Sequence, residues 1–231
     1  LYCISPDGTI RWKFPTAGRI PSSPALADIS PEDGIEIVVG SQDNKVYCIN
    51  PRGKQIWAFR ADGPVVSSPA VGDLDRDGQP EIVVGSWDGN LYCISPNGTE
   101  RWRFAIGDSI SSSPALADIS PEDGVEVVVG SHDGAVYCTS SEGRRIWTFK
   151  ADGPVVSSPV VADLDGDRKQ EVIIGDGAGN VYVLGASGGR LWSFRAEGKV
   201  LSSPAVGDID DDGKLEFIVA STEAINYFGA R

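Results

Sequence analysis

The sequence predicts an all-β fold, a five-bladed β-propeller of four-stranded antiparallel blades, and three observations predict it. A motif of 45 residues recurs without insertion along the 231-residue chain. Each copy divides into four short strand-like runs separated by turn residues. The two ends of the chain are complementary parts of one copy.

The period is set by Trp12, Trp57, Trp102, Trp147 and Trp192, each with a Phe two residues on. Pro24, Pro69, Pro114, Pro159 and Pro204 keep the same spacing, each preceded by two serines. Tyr2, Tyr47, Tyr92, Tyr137, Tyr182 and Tyr227 follow it too, as do Asp28, Asp73, Asp118, Asp163 and Asp208. A fixed period of this length marks stacked supersecondary units rather than one irregular domain. Residues 1–231 are therefore read as a single propeller domain. The first strand of each repeat, strand A, begins near Ser22, Ser67, Ser112, Ser157 and Ser202, which number the repeats one to five.

In repeat two, strand A runs from Ser68 to Asp73, B from Glu81 to Ser86, C from Leu91 to Ser95 and D from Glu100 to Phe104. Trp87-Asp88-Gly89-Asn90 joins B to C, and Pro96-Asn97-Gly98 joins C to D. Both turns are built from residues that accept positive φ. Four antiparallel strands per repeat make a propeller blade.

Ring closure is expected from the ends. Ser203 to Ser221 supplies strands A and B of repeat five, and Leu1 to Phe14 supplies C and D, which removes two exposed edges. Ile225 to Gly229 is a further C-like run that this closure leaves redundant, and a fragment of a larger ring is the alternative. The run from Ser22 to Gly34 recurs unchanged at Ser112 to Gly124, and Ala61 to Pro69 recurs at Ala151 to Pro159. That is the pattern of a duplicated pair or of deliberate construction. The chain opens at Leu1 with no charged-then-apolar leader and has no Met, as a mature or excised piece would.

Composition narrows the function. A hydrophobic content of 41% is enough to bury a core, and a net charge of -13 excludes an electrostatic grip on nucleic acid or an anionic membrane surface. No apolar run reaches the roughly 18 residues of a membrane span.

The segment Ile82-Val83-Val84-Gly85-Ser86-x-Asp88-Gly89-x-Leu91-Tyr92, with Gly98 and Trp102 after it, resembles the PQQ-like propeller repeat. Ser68-Pro69-Ala70-x-x-Asp73-x-Asp75-x-Asp77-Gly78-x-x-Glu81 resembles the FG-GAP/VCBS repeat of integrin-type propellers and bacterial surface proteins. The resemblance implies Trp side chains docked between blades. It also implies a scaffold that binds proteins, glycans or assembly factors, and an extracellular or cell-surface setting. It does not imply bound quinone, and no PQQ is expected.

The acidic A–B loops carry the strongest chemical motif. Asp73, Asp75 and Asp77, with Glu81 closing the set and a backbone carbonyl from Gln79, offer the oxygens that Ca²⁺ prefers. Asp208, Asp210, Asp212, Lys214 and Glu216 repeat the pattern. Repeat four has Asp163, Asp165, Asp167 and Glu171, but Arg168 stands where the others have the Gly of the sharp bend. Repeats one and three read Asp28-x-Ser30-x-Glu32 and Asp118-x-Ser120-x-Glu122, weaker ligand sets in which Glu36 and Glu126 serve equally as turn acceptors. The alternative for every loop is a solvated acidic turn without metal.

Cys3, Cys48, Cys93 and Cys138 share one position of strand C in different repeats, too far apart for a disulfide and matching no zinc spacing. They read as buried free thiols. The periodic tryptophans read as packing rather than sugar-stacking residues. Trp87 is the exception, because its slot in the B–C turn varies through Gln42, His132, Gly177 and Thr222 while its surroundings do not. B–C turns and D–A connections emerge opposite the acidic loops, so Trp87, His132, Gln42 and Arg60 are the candidate partner-binding residues.

His132 is the only histidine, which excludes a multi-histidine metal site, and repetition argues against an asymmetric catalytic constellation. The expected function is a non-catalytic, calcium-stabilised scaffold presenting a face to a protein or glycan. The alternatives are a fragment of a catalytic or cofactor-binding propeller, of polysaccharide lyase or quinoprotein type, and an engineered or recently amplified folding module without a ligand.

Overall fold

The computed structural model describes residues 1–30, 34–120, 124–223 and 225–228. The chain divides into two compact units, Leu1–Ser109 and Ile110–Arg231. Among the described residues neither contains a helix, so none is long and apolar enough to cross a membrane.

In the first unit β1 (Tyr2–Ile4) and β2 (Ile10–Lys13) form a hairpin. Two four-stranded antiparallel sheets follow. One is β3 (Ala25–Ala27), β4 (Glu36–Ser41), β5 (Lys45–Ile49) and β6 (Gln55–Arg60); the other is β7 (Ala70–Gly72), β8 (Glu81–Gly85), β9 (Asn90–Ile94) and β10 (Glu100–Ala105). The second unit repeats this architecture with β11 (Ala115–Ala117), β12 (Glu126–Ser131), β13 (Ala135–Thr139) and β14 (Arg145–Lys150). Its next sheet is β15 (Val160–Ala162), β16 (Glu171–Gly175), β17 (Asn180–Leu184) and β18 (Arg190–Arg195). A three-stranded sheet of β19 (Ala205–Gly207), β20 (Glu216–Ala220) and β21 (Ile225–Phe228) ends it.

Strands B and C match their expected limits closely, whereas strand A shrinks to three residues, Ala70–Gly72 instead of Ser68 to Asp73. Pro69 has no N–H to give a ladder, and the serines before it spend their hydroxyls elsewhere. Ser67 Oγ donates to the Gly85 carbonyl at 3.0 Å and accepts the Gly85 N–H at 2.8 Å. Ser22 with Gly40 and Ser157 with Gly175 repeat this exchange. The second serine reaches one repeat back: Ser68 Oγ accepts the Ser23 N–H and Ser158 Oγ accepts the Ser113 N–H, each at 2.9 Å. One serine thus ties strand A to strand B, and the other ties neighbouring repeats.

Continuous β-branched runs make strands B and C buried on both faces, as β8 is throughout. Val38, Val46, Val65, Ile82, Val84 and Ile94 form one such layer in the first unit. Val128, Val136, Val172, Ile174 and Leu184 form its counterpart in the second. Three of the periodic tryptophans pack between repeats as expected, whereas Trp192 is 42% exposed. Trp12, Trp57 and Trp147 donate Nε1–H to the carbonyls of Pro51, Pro96 and Ala186 at 2.9, 2.8 and 3.0 Å, each in the C–D turn of the next repeat. Phe14 meets Tyr47, Phe59 meets Tyr92 and Phe149 meets Tyr182 edge-on. Each such pair adds about 0.5–1.5 kcal/mol beyond its buried area. Cys48, Cys93 and Cys138 are buried thiols outside any disulfide, whereas Cys3, expected to be buried with them, is only half-buried on the β1–β2 hairpin. Burial pushes the Cys48 and Cys93 thiols up to about 12, so they stay protonated and pack as small apolar groups.

One expected pairing is overturned. Leu1 to Ser5 does not fill slot C beside Glu216–Ala220; β20 pairs there with β21, from Phe217↔Phe228 to Ala220↔Ile225. Among the described residues β1 pairs with β2 alone. A hairpin closed by a short turn costs far less loop entropy than joining segments two hundred residues apart, since that cost grows with loop length. Gly229, the expected end of this run, lies outside the described residues.

Candidate functional site

Each repeat buries a glutamate at the start of strand B under its A–B loop: Glu36, Glu81, Glu126, Glu171 and Glu216 are 0–6% exposed. A buried carboxylate needs hydrogen bonds or a counter-charge. In repeats one and three a serine supplies the bonds. Glu36 accepts the N–H groups of Ile29 and Ser30 at 2.8 and 3.2 Å and the Ser30 hydroxyl at 3.1 Å. Glu126 takes the same three donors from Ile119 and Ser120 at 2.7, 3.0 and 2.9 Å. These two glutamates act as turn acceptors; Glu32 and Glu122 lie outside the described residues.

Repeats two, four and five gather carboxylates instead. Asp73, Asp75 and Glu81 bring oxygens within 4.8 Å of one another, and so do Asp163, Asp165 and Glu171, and Asp208, Asp210 and Glu216. Asp77, Asp167 and Asp212 stand outside these groups and cap the turn, their Oδ1 atoms each accepting the N–H of Gln79, Lys169 or Lys214 at 2.8 Å. Asp73 and Asp208 also fold the loop, each accepting two N–H groups from it. The residue at 168 does not prevent the bend: Arg168 adopts φ 68°, close to the left-handed region used by Gly78 and Gly213. Gly166 takes φ 77° where repeats two and five place Arg76 and Asp211 at 61° and 59°. The loops thus exchange the position at which a non-glycine residue bears left-handed strain.

The three groups differ in counter-charge. In repeat two Arg101 on β10 donates to Glu81 at 2.6 Å and pairs with Asp75. The guanidinium holds Asp75 below the usual carboxylate range, whereas burial raises Glu81 despite the Leu74 N–H and Arg101. Glu171 accepts one N–H, from Leu164 at 2.9 Å, and Glu216 one from Ile209 at 2.9 Å. Burial, then Asp165, Asp167 and Asp163, raises Glu171. Among the described residues no cationic side chain pairs with either glutamate.

At the B–C turns the structure shows a network that composition did not reveal. The Tyr47, Tyr92 and Tyr137 hydroxyls donate to Asp43, Asp88 and Asp133 at 2.7, 3.0 and 2.5 Å. Burial foremost, with the carboxylate beside it, pushes each tyrosine up to about 12. The signal was an Asp four residues before each periodic Tyr. Repeat four breaks it, with Ala178 in that place, yet Tyr182 still donates at 2.9 Å to Asp176, which stands where repeat two has Ser86.

The candidate partner-binding residues are placed as follows. Trp87 is 46% exposed, and its backbone N–H donates to Pro64 in the preceding D–A connection at 2.9 Å. Gln42 makes the equivalent bond to Arg19, at 2.9 Å. Arg60 is exposed at the end of β6, opposite Lys45. In the second unit His132 Nε2 lies 3.0 Å from Ser111 Oγ. No carboxylate among the described residues orients its other ring nitrogen, so the pair lacks the third member of a nucleophilic triad.

Four-stranded sheets in a 45-residue register, joined by serine and tryptophan bonds, define PQQ-like β-propeller blades. A family model described as the lambda-carrageenase beta-propeller domain matches residues 1–72 and 126–228, and the chain belongs to that family. A second, described as outer membrane protein assembly factor BamB, matches residues 78–165. No curated protein matches the chain. Among solved structures it is similar to BBS1N in complex with ARL6DN, soaked with lead: TM-score 0.70, 15% identity, 100% of this chain and 72% of that one covered. The mercury-soaked form gives 0.69 at 16% identity, covering 96% and 70%. BamB from Moraxella catarrhalis gives 0.64 at 18%, covering 95% of this chain and 63% of its own. At such identities the likeness is one of fold.

Proposed function

We propose that this chain is a non-catalytic propeller scaffold that presents its B–C turns to a protein or glycan partner and is stabilised by calcium in its acidic A–B loops. In this reading the five repeats act as one propeller, in an extracellular or cell-surface setting, without bound quinone. The observation that carries it is how the repeated polar groups are used: Ser67, Asp88 and Tyr92 in repeat two are bonded within the framework, while the B–C slot held by Trp87 varies and is exposed. Two comparisons support it: a similar structure, BBS1N, was solved in complex with ARL6DN, and one matching family model is described as an assembly factor. The family description attaches its propeller to lambda-carrageenase, so carrageenan oligosaccharides lead the glycans to be tried.

On a glycan array that includes carrageenan oligosaccharides, Trp87→Ala should lose at least tenfold in binding; equal binding by both proteins removes Trp87 from the partner face. The second reading, participation in polysaccharide cleavage, rests on the same family description. Release of new reducing ends from carrageenan by the pure chain would establish it and overturn the scaffold.

The calcium reading rests on Glu171 and Glu216, each more than nine-tenths buried, with one hydrogen bond and a carboxylate cluster but, among the described residues, no salt-bridged cation. These sets of hard oxygens fit Ca²⁺, which takes six to eight such ligands. A cation bound only to the native state stabilises it by about 2.7 kcal/mol at a hundredfold excess over Kd. The unfolding midpoint should therefore rise by several degrees from chelator to millimolar calcium, and an unchanged midpoint sinks the metal.

A further inference from the structure

We infer that Arg101 is a tethered cation that takes the place of a free metal ion in repeat two, so that the loop at Asp73–Glu81 is closed to calcium although it carries the fullest acidic motif. The inference deepens the calcium reading above and rests on it for the identity of the ion.

The geometry is specific to this repeat. In repeat two the residue before the periodic tryptophan, Arg101, reaches the A–B loop of its own sheet, and in the other complete repeats that position holds Ile56, Ile146 or Leu191. Among these four only Arg101 bears charge; Arg11, before Trp12, belongs to the β1–β2 hairpin, which has no A–B loop of its own among the described residues. Its guanidinium donates Nη1–H to Oε1 of Glu81 at 2.6 Å and Nη2–H to Oδ2 of Asp75. Those two side chains, with Asp73, form the carboxylate group of the loop, so the guanidinium occupies the position that a bound ion would share.

Two further observations point to a cation there. The Glu81 side chain is 2% exposed and its other oxygen accepts the Leu74 N–H at 3.0 Å, so without Arg101 it would be a buried charge with one bond. Asp75 Oδ1 is buried without a hydrogen-bond partner, an oxygen the guanidinium leaves unused. In repeats one and three, where Ile56 and Ile146 cannot neutralise a carboxylate, serine hydroxyls do the work. In repeat four Leu191 leaves Glu171 with a single N–H. The buried glutamate thus has three solutions, and a tethered cation is the one used in repeat two.

Removing the guanidinium should open the site, and solvent already reaches it. A cleft of about 660 Å³ lined by Trp57, Asp77, Gln79, Glu81, Asn97 and Arg101 gives an ion a path to the carboxylates.

The test is calcium stoichiometry by native mass spectrometry and calorimetry on the whole chain. Arg101→Leu should bind one more calcium than the parent, and Arg101→Lys, which keeps a tethered charge, the same number as the parent. Asp75→Asn in the parent should leave the count unchanged, and added to Arg101→Leu it should remove the extra ion. Arg101→Leu should also lose stability in chelator and regain it in calcium, which shows the variant to be folded. An Arg101→Leu count equal to the parent's overturns the inference, as does loss of an ion on Asp75→Asn in the parent. A parent that binds no calcium while Arg101→Leu binds one sinks the reading of repeats four and five and upholds this one.

Discussion

Asp176→Ser should destabilise the protein by about 2–4 kcal/mol, and adding Ala178→Asp should restore most of the loss. Asp176 is wholly buried in the B–C turn of repeat four. Its oxygens accept the Tyr182 hydroxyl at 2.9 Å, the Asn180 side-chain amide at 3.1 Å and the N–H groups of Gly153, Ala178 and Asn180 at 3.1, 3.0 and 2.8 Å. A serine there would keep the Ala178 bond, as Ser86 keeps Asp88 N–H at 3.3 Å, and would strand the rest. Each buried polar group left unpaired costs about 1–3 kcal/mol.

The rescue follows from repeat two. There Asp88 accepts Ser86 Oγ–H at 2.8 Å, Asn90 N–H and Asn90 Nδ2–H at 2.8 Å, and the Tyr92 hydroxyl at 3.0 Å. Asn180 and Tyr182 are the same residues in the same register. The space matches as well: Gly63 faces Asp88 in repeat two as Gly153 faces Ala178 in repeat four. Positions 176 and 178 therefore hold one carboxylate between them, and either can carry it. Thermal unfolding reads the result, with a drop of roughly 5–15 °C for the single variant and recovery in the double. A double variant no more stable than Asp176→Ser would show that the two networks are not interchangeable.

The same pair of positions shows where the sequence was legible and where it was not. The period, strands B and C, and the inter-repeat role of Trp57 could be read because each depends on local pattern: apolar runs, turn residues, strict recurrence. The Tyr–Asp bond was visible in principle as an Asp four residues before Tyr, but Ala178 breaks that signal, and only geometry shows Asp176 reaching the same hydroxyl. Arg101 was invisible for another reason. It meets Glu81 and Asp75 across 20 and 26 positions, and the pairing depends on which side of β10 overhangs the loop. The expected place of Leu1 to Ser5 failed because two segments matched one slot, and pattern alone does not weigh a local hairpin against a distant partner.

Gly98→Ala should cost about 2–5 kcal/mol, well above the effect of a turn glycine alone. Gly98 has φ 83°, so any Cβ brings left-handed strain of about 1–2 kcal/mol. That Cβ would also lie 2.7 Å from Cγ and Cδ2 of Trp57 and 3.0 Å from its Cβ. The indole is fixed there by its own bond to the Pro96 carbonyl, so it has little freedom to yield. Gly53 under Trp12 and Gly188 under Trp147 repeat the contact, which makes the C–D glycine the seat for the tryptophan of the preceding repeat. Gly78→Ala is the control, because Gly78 has φ 88° and no atom within 4 Å of the added carbon. Its cost should be the conformational part alone, about 1–2 kcal/mol. A double-mutant cycle separates the rest: in a Trp57→Ala background, Gly98→Ala should fall to the cost of the control, since the ring it strikes is gone. Equal costs for Gly98→Ala with and without Trp57 would place the whole effect in the backbone and remove close packing as the reason for glycine in this turn.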